Sequence, residues 1–145
     1  MPTTMTATAA RHQPDQDLGK LVLRVSLGVL ILFHGISKVM GGPAFILGLV
    51  QKAGLPAVFG YGVYVGEVLA PLLLILGLWT RLAALVVAIN MVVAVLLVHL
   101  GEFFSMSKTG GWALELQGMY FLAAVAVALL GAGRLSVGGA HGRFN

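Results

Sequence analysis

Long apolar runs, separated by short polar or glycine-rich breaks, make up most of the chain. Four of these runs approach the length of about 20 residues that a helix needs to cross a bilayer, and they cover residues 18–40, 62–79, 82–100 and 112–130. The first run ends at Gly41-Gly42-Pro43, because glycine favours helix termination and proline cannot continue a helix. The pattern predicts an all-α protein: an antiparallel bundle of four membrane-spanning helices.

A shorter apolar segment lies between the first two runs. Residues 44–56 carry Phe45, Leu49 and Lys52 at helical spacing, but about a dozen residues cannot cross a bilayer. We therefore expect a short helix in the membrane interface between spans one and two. Spans two and three are joined only by Thr80-Arg81, so they are expected to be antiparallel neighbours.

Composition supports a membrane protein and excludes several kinds of chemistry. The chain has 145 residues, of which 59% are hydrophobic and 10% charged, whereas a soluble domain has about a quarter of its residues charged. We expect one membrane domain, 18–136, between a flexible cytoplasmic tail, 1–17, and a second flexible tail, 137–145. Cysteine is absent, which excludes thiol chemistry and cysteine-held iron–sulfur clusters, so no intrinsic redox cofactor is expected. The net charge of +4 is scattered and indicates membrane lipid rather than nucleic acid as a partner.

Basic residues predict the orientation, because lysine and arginine are enriched on the cytoplasmic side of membrane proteins. Three lysines fall on one side of the predicted spans, at Lys38, Lys52 and Lys108. Six basic residues fall on the other side, at Arg11, Lys20, Arg24, Arg81, Arg134 and Arg143. This majority predicts a multi-pass protein with both termini in the cytoplasm.

Polar residues of all four predicted spans then meet in the outer half of the bundle. They are His34 and Lys38 of span one, Glu67 of span two, His99 of span three and Glu115 of span four. Ionisable groups at membrane depth are costly unless they are paired or hydrated. His34 and Lys38 are four residues apart and therefore share a helix face. We expect these five residues to line one polar pocket.

Two further polar residues are interpreted as structural. Asn90 lies nine residues before His99, about half a turn out of phase, and is therefore predicted to make an interhelical hydrogen bond outside the pocket. Arg24 lies in the inner half of span one, and we assign it with Lys38 and Glu67 to structural ion pairing.

The order and spacing of several motifs are similar to those of the DoxX family of small four-helix bacterial membrane proteins, which includes DoxD-type subunits of thiosulfate:quinone oxidoreductase. The resemblance covers nearly all of residues 21–136. It rests on Arg24, Phe33-His34-Gly35-Ile36-Ser37-Lys38, Glu67, Gly77-Leu78-Trp79-Thr80-Arg81-Leu82-Ala83-Ala84, Gly110-Gly111-Trp112 with Glu115, and Gly131-Ala132-Gly133-Arg134-Leu135-Ser136.

This resemblance implies a protein of the bacterial inner membrane with a role close to quinone-linked or oxidative-stress redox work. A quinone is then the candidate ligand of the pocket formed by His34, Lys38, Glu67, His99 and Glu115. Electrons would come from a redox partner protein, and the chain would be at most the membrane subunit of a quinone-linked oxidoreductase. A homodimer is a candidate assembly.

Two alternatives remain open. In the first, the protein is a non-enzymatic scaffold or small-solute carrier, and the same charges are structural ion pairs or line a solute path. In the second, it binds a metal, because imidazole and carboxylate groups are suitable ligands. The candidate ligands are His34, His99, Glu67, Glu102 and Glu115, although the sequence contains no HxxxH motif.

Overall fold

Five helices form the structure, which is a computed structural model describing residues 14–140, 142, 144 and 145. They are α1 (Pro14–Gly41), α2 (Ala44–Lys52), α3 (Ala57–Leu76), α4 (Thr80–Glu102) and α5 (Glu115–Leu130). The all-α prediction is confirmed. Most of the predicted N-terminal tail, with Arg11, lies outside the described residues, as does Arg143.

Three of the helices, α1, α3 and α4, are long and apolar enough to cross a membrane. The fourth predicted span is shorter than expected, because α5 has 16 residues and is about 24 Å long. Residues Trp112–Leu114 do not belong to it, since Trp112 makes an isolated β-bridge with Met106 in the preceding loop. The short helix between the first two spans is present as α2, and its position in the membrane interface remains a prediction.

Small and branched apolar side chains pack α1, α3, α4 and α5 around one core. Alanines are prominent in this core, and they let the helices approach closely, as in other membrane proteins. The fully buried core residues are Leu27, Ile31, Ala70, Leu74, Ala83, Ala84, Val87, Ala88, Ala124 and Val127. Large apolar side chains such as Phe33, Ile89 and Leu129 point outward and are more than half exposed, as expected for a surface that lipid covers.

A tight turn joins α3 to α4. Gly77 ends α3 with a left-handed φ of 72°, and the N–H of Leu78 donates to the carbonyl of Leu73 at 3.0 Å, which satisfies a carbonyl at the helix end. Trp79 also has a positive φ, of 45°. The turn is therefore formed by residues 77–79 and not by the predicted Thr80-Arg81, which begin α4. Because only three residues separate the two helices, α3 and α4 run antiparallel beside each other, as predicted.

The C-terminal residues return to this turn, although the sequence predicted a flexible tail over 137–145. Asn145 is 6% exposed, and its side-chain oxygen accepts hydrogen bonds from the N–H and the hydroxyl of Thr80 at 3.1 and 3.0 Å. The N–H of Arg81 donates to the carbonyl of Phe144 at 2.9 Å. The tail thus supplies acceptors for the first N–H groups of α4, which have no partner within the helix.

Candidate functional site

A three-residue polar group links the helices α1, α3 and α4. The Lys38 ammonium forms an ion pair with Oε1 of Glu67, and the Asn90 amide donates to the same oxygen at 3.1 Å. Glu67 is nearly buried, with 4% of its side chain exposed, whereas 32% of the Lys38 side chain is exposed. We call Lys38, Glu67 and Asn90 the polar cluster. Two donors on one oxygen fix the position of the Glu67 carboxylate.

The second oxygen of Glu67, Oε2, is buried and has no hydrogen-bond partner within the described part of the chain. Buried polar atoms are almost always hydrogen-bonded, because an unpaired acceptor costs about 1–3 kcal/mol. A buried acceptor without a partner calls for an explanation, such as a functional role or a bound water or ion. It therefore marks this position as a candidate binding point.

Local helix geometry explains how Glu67 is presented. Val65–Leu69 forms a π-helical segment within α3, and Pro71 follows four residues after Glu67. Proline has no N–H to donate and its ring crowds the carbonyl of the residue four positions earlier, so the carbonyl of Glu67 is freed. A second π segment, Val95–His99, lies in α4. Single π turns within α-helices are frequent at functional sites.

Gly35 lets α1 approach this freed carbonyl. A Cβ added at Gly35 would overlap the carbonyl oxygen of Glu67 and lie 2.6 Å from its carbonyl carbon. About two helical turns away on the same face, a Cβ at Gly28 would lie 2.9 Å from the carbonyl oxygen of Pro71. Backbone contact between α1 and α3 therefore depends on these two glycines, and it places Lys38 beside Glu67.

We expect Gly35→Ala to destabilise the protein by about 1–3 kcal/mol, because the added methyl group must push two backbones apart. Gly19→Ala is the matched control in the same helix, since a Cβ there has nothing within 4 Å. The control should be neutral or slightly stabilising, as alanine favours helix over glycine. Thermal unfolding in detergent measures both variants, and equal melting temperatures would contradict the close approach of α1 and α3.

Two cavities meet at the polar cluster. The larger, of about 620 Å³, is almost entirely apolar and includes Lys38, Glu67 and Asn90 in its wall. The smaller, of about 340 Å³, is lined by Lys38 and Glu67 together with His34, His99, Gln117 and Tyr120. Lys38 and Glu67 thus belong to both walls. Both volumes lie in the range of small-molecule pockets, about 300–1,000 Å³.

The smaller cavity brings together four of the five residues predicted for the pocket: His34, Lys38, Glu67 and His99. The His34 ring packs edge-on against Tyr120 with centroids 5.9 Å apart. His99 lies 3.0 Å from the exposed carboxylate of Glu102 through its Nδ1. These histidines therefore add polar and aromatic groups to the wall of the smaller cavity.

The fifth predicted residue, Glu115, does not line either cavity. It is exposed in the first turn of α5, where a negative charge is favoured by the helix dipole. Its carboxylate lies against Gly111 of the preceding loop. Because α5 begins only at this residue, Glu115 stays at the helix end instead of within a span.

Asn90 was predicted to lie outside the pocket because it is about half a helical turn out of phase with His99. The structure agrees with the phase but not with the exclusion. Asn90 lines the larger cavity and His99 the smaller one, so the two side chains indeed face different spaces. Asn90 nevertheless belongs to the site, because Glu67 lies between both cavities and accepts its hydrogen bond. The signal that could have identified it is Gly66, where an added Cβ would lie 2.5 Å from Cγ of Asn90.

Arg24, which was assigned to the ion pairs, has a different role. It is 1% exposed and donates to the carbonyls of Leu74 and Ile75, both at 2.7 Å. Its other acceptors are the carbonyls of Ala132, at 3.3 Å, and Leu135. Leu74 and Ile75 lie in the last turn of α3, where carbonyls lack intrahelical partners. Arg24 therefore replaces helix-end hydrogen bonds rather than pairing with a carboxylate.

A metal site finds little support in this geometry. Among the residues that the structure describes, no group of three or more histidine, aspartate or glutamate side chains is placed to hold a metal ion. Of the candidate ligands, His99 and Glu102 are in contact, Glu67 is bound to Lys38 and Asn90, and Glu115 lies at the start of α5. The predicted ligand set is therefore not assembled.

Comparison with known proteins agrees with the motif analysis. The DoxX family matches residues 19–100. This range contains the whole polar cluster, the two cavity histidines His34 and His99, and Arg24, but not Glu115. No solved structure matches significantly.

Two curated relatives are of similar identity. One is "Putative oxidoreductase CatD" of Bacillus subtilis, 31% identical over 87 residues, which are 58% of this chain and 62% of that protein. The other is an uncharacterized protein of Haemophilus influenzae, 32% identical over 103 residues, which are 69% of this chain and 75% of that protein. The chain therefore spans less than two thirds of the CatD relative. With more than half of its length matched by the family, the chain is a member of the DoxX family.

Proposed function

We propose that this DoxX-family protein is a quinone-interacting accessory subunit of a membrane oxidoreductase system, and that the two cavities at Lys38, Glu67 and Asn90 hold the quinone. The observation that carries this proposal is the polar cluster itself, a charged centre shared by an apolar cavity and a smaller, more polar one. Quinones have this same division, since an apolar tail is joined to a polar ring.

Further support comes from the relative and from the composition. The Bacillus subtilis protein carries the name of an oxidoreductase, and the present chain has no cysteine. A protein with this composition would take its reducing equivalents from a partner protein. The role of the chain would then be to bind and orient the quinone near that partner, and a homodimer remains a candidate assembly.

Mass spectrometry of the organic extract tests the proposal. Protein purified in a mild detergent is expected to retain a quinone in near-stoichiometric amount, and Lys38→Met/Glu67→Met is expected to lose it while remaining folded. Lys52→Met is the matched control, because Lys52 is an exposed lysine at the end of α2. A wild-type protein with neither bound quinone nor affinity for added quinone would contradict the proposal.

We also propose that α5 completes a four-span bundle in the bacterial inner membrane, with both termini in the cytoplasm. The absence of native cysteine makes the topology directly measurable. Lys52→Cys and Lys108→Cys are expected to react with a membrane-impermeant maleimide in intact spheroplasts, whereas Arg134→Cys should react only after lysis. The reverse pattern would contradict the orientation, and labelling of all three in intact cells would contradict the even number of spans.

The alternative of a scaffold or carrier has one observation in its favour. Lys38 and Glu67 join α1 to α3, so the pair could act only as an interhelical strut. The double substitution Lys38→Met/Glu67→Met separates the strut from the binding site, because a strut can be replaced by an apolar pair without loss of function.

A further inference from the structure

The orphaned oxygen of Glu67 specifies what kind of atom a ligand must bring to the site. Oε1 of Glu67 already accepts from Lys38 and Asn90, while Oε2 accepts from no described residue. Only 4% of the Glu67 side chain is exposed, but Glu67 lines both cavities, so a ligand in these cavities is the candidate source of the missing donor. An ionised carboxylate can only accept hydrogen bonds, so the ligand atom beside Oε2 has to carry a hydrogen.

The side chains of the polar cluster and its neighbour Tyr64 do not supply this donor. Lys38 and Asn90, the two polar neighbours of Glu67, direct their hydrogens to Oε1. The backbone carbonyl of Lys38 accepts from the Tyr64 hydroxyl at 3.4 Å, which occupies that hydroxyl. Water can satisfy Oε2 when the cavities hold no ligand, and a ligand hydroxyl that replaces this water would recover the hydrogen bond.

We propose that the site selects the reduced form of its ligand, a quinol, whose phenolic O–H donates to Oε2 of Glu67. This inference rests on the proposed function and refines it. The oxidised quinone presents only carbonyl oxygens, and a carbonyl oxygen beside a carboxylate oxygen has no hydrogen between the two. The quinone would therefore leave Oε2 unpaired and face electrostatic repulsion. The apolar wall of the larger cavity takes the alkyl tail of either form.

The test is an anaerobic binding titration of the detergent-purified full chain with three probes of equal tail length. These are decylubiquinol, decylubiquinone and the dimethyl ether of decylubiquinol, which keeps the ring size but lacks O–H groups. Hydrogen bonds to charged acceptors correspond to about tenfold or more in affinity. Decylubiquinol is therefore expected to bind about tenfold or more tightly than each of the other two probes.

Glu67→Gln provides the reciprocal experiment. The glutamine oxygen can accept from Lys38 and Asn90, which leaves its NH₂ group in the place of Oε2 as a donor. The preference for decylubiquinol is expected to fall below about threefold or to reverse, since the amide can donate to a quinone carbonyl. If this variant does not fold, the comparison of decylubiquinol with its dimethyl ether on the wild-type protein decides the question alone.

The outcomes separate this inference from the proposed function. Equal or tighter binding of decylubiquinone by the wild-type protein overturns the selection of the quinol and leaves quinone binding intact. A quinol preference that Glu67→Gln retains in full overturns the assignment of Oε2 as the acceptor. Binding of none of the three probes overturns the proposed function and this inference together.

Discussion

Replacing Arg24 by leucine is expected to lower the free energy of unfolding by about 3–5 kcal/mol. Arg24 is 1% exposed and joins α1 to four backbone carbonyls, two in the last turn of α3 and two beyond the end of α5. Leucine fills the volume but removes the Arg24 donors from all four carbonyls. The Leu74 carbonyl keeps a second donor, the N–H of Gly77 at 3.2 Å, and each acceptor left unsatisfied costs about 1–3 kcal/mol. Thermal unfolding in detergent should show a melting temperature lower by about 10 °C or more.

Two further variants show whether the fork of donors or the charge is responsible. Arg24→Lys keeps the charge but offers one nitrogen in place of three, so it should recover only part of the stability. Lys52→Leu removes an exposed charge and should leave the melting temperature unchanged within error. An Arg24→Leu protein as stable as the wild type would contradict the role of Arg24 as a replacement for helix-end hydrogen bonds.

The second large effect is expected at the ion pair. Lys38→Met leaves the buried Glu67 carboxylate with Asn90 as its remaining donor, and removal of one partner of a buried pair costs about 3–5 kcal/mol. Glu67→Met should cost less, because 32% of the Lys38 side chain is exposed against 4% for Glu67 and the free ammonium can reach water or lipid headgroups. Unfolding in detergent measures this difference.

The double variant Lys38→Met/Glu67→Met distinguishes a strut from a binding site. Apolar replacement of a whole buried pair is often neutral or stabilising, so its stability should return to near that of the wild type. If the pair is only a strut, the physiological function should return as well. On the present account stability returns but quinone binding and function stay lost.

Much of the fold follows from simple patterns in the sequence. Runs of apolar residues predicted α1, α3 and α4, and the glycines and proline of Gly41-Gly42-Pro43 correspond to the end of α1. α5 is shorter than its apolar run because Trp112 pairs with Met106 in the loop. Such a bridge depends on a tertiary contact, which periodicity along one helix cannot express.

The site was only partly predictable for a related reason. Helical spacing placed Lys38 and His34 on one face, and charge arguments linked Lys38 to Glu67, which are in contact in the structure. The phase argument correctly separated Asn90 from His99, but it excluded Asn90 because it assumed one small site, whereas Glu67 lines two cavities and accepts from Asn90. Helical phase also could not detect the π segments. Pro71, four residues after Glu67, was the available local signal for the first of these segments.

Long-range backbone contacts were the least accessible to sequence reasoning. Each of these contacts has a backbone group on one side: Arg24 donates to carbonyls more than 50 positions away, and the backbone N–H of Thr80 donates to the Asn145 side chain. Nearly every residue carries such backbone groups, so the sequence does not single out the partner. A charge pattern suggests a partner of opposite charge, and it therefore assigned Arg24 to an ion pair. Only the packed structure shows that the partners of Arg24 are backbone carbonyls at helix ends and not a carboxylate.

Photo-crosslinking with an azido-quinone is the measurement that tests the central claim most directly, since it reports where a quinone lies. Peptide mapping is expected to find the label within residues 31–67, 86–99 or 116–120, which supply the walls of the two cavities at Lys38, Glu67 and Asn90. Excess decylubiquinol should compete the label away, and Lys38→Met/Glu67→Met should not acquire it. Labelling that maps only to other segments, or that persists unchanged in the double variant, would contradict a quinone site at the polar cluster.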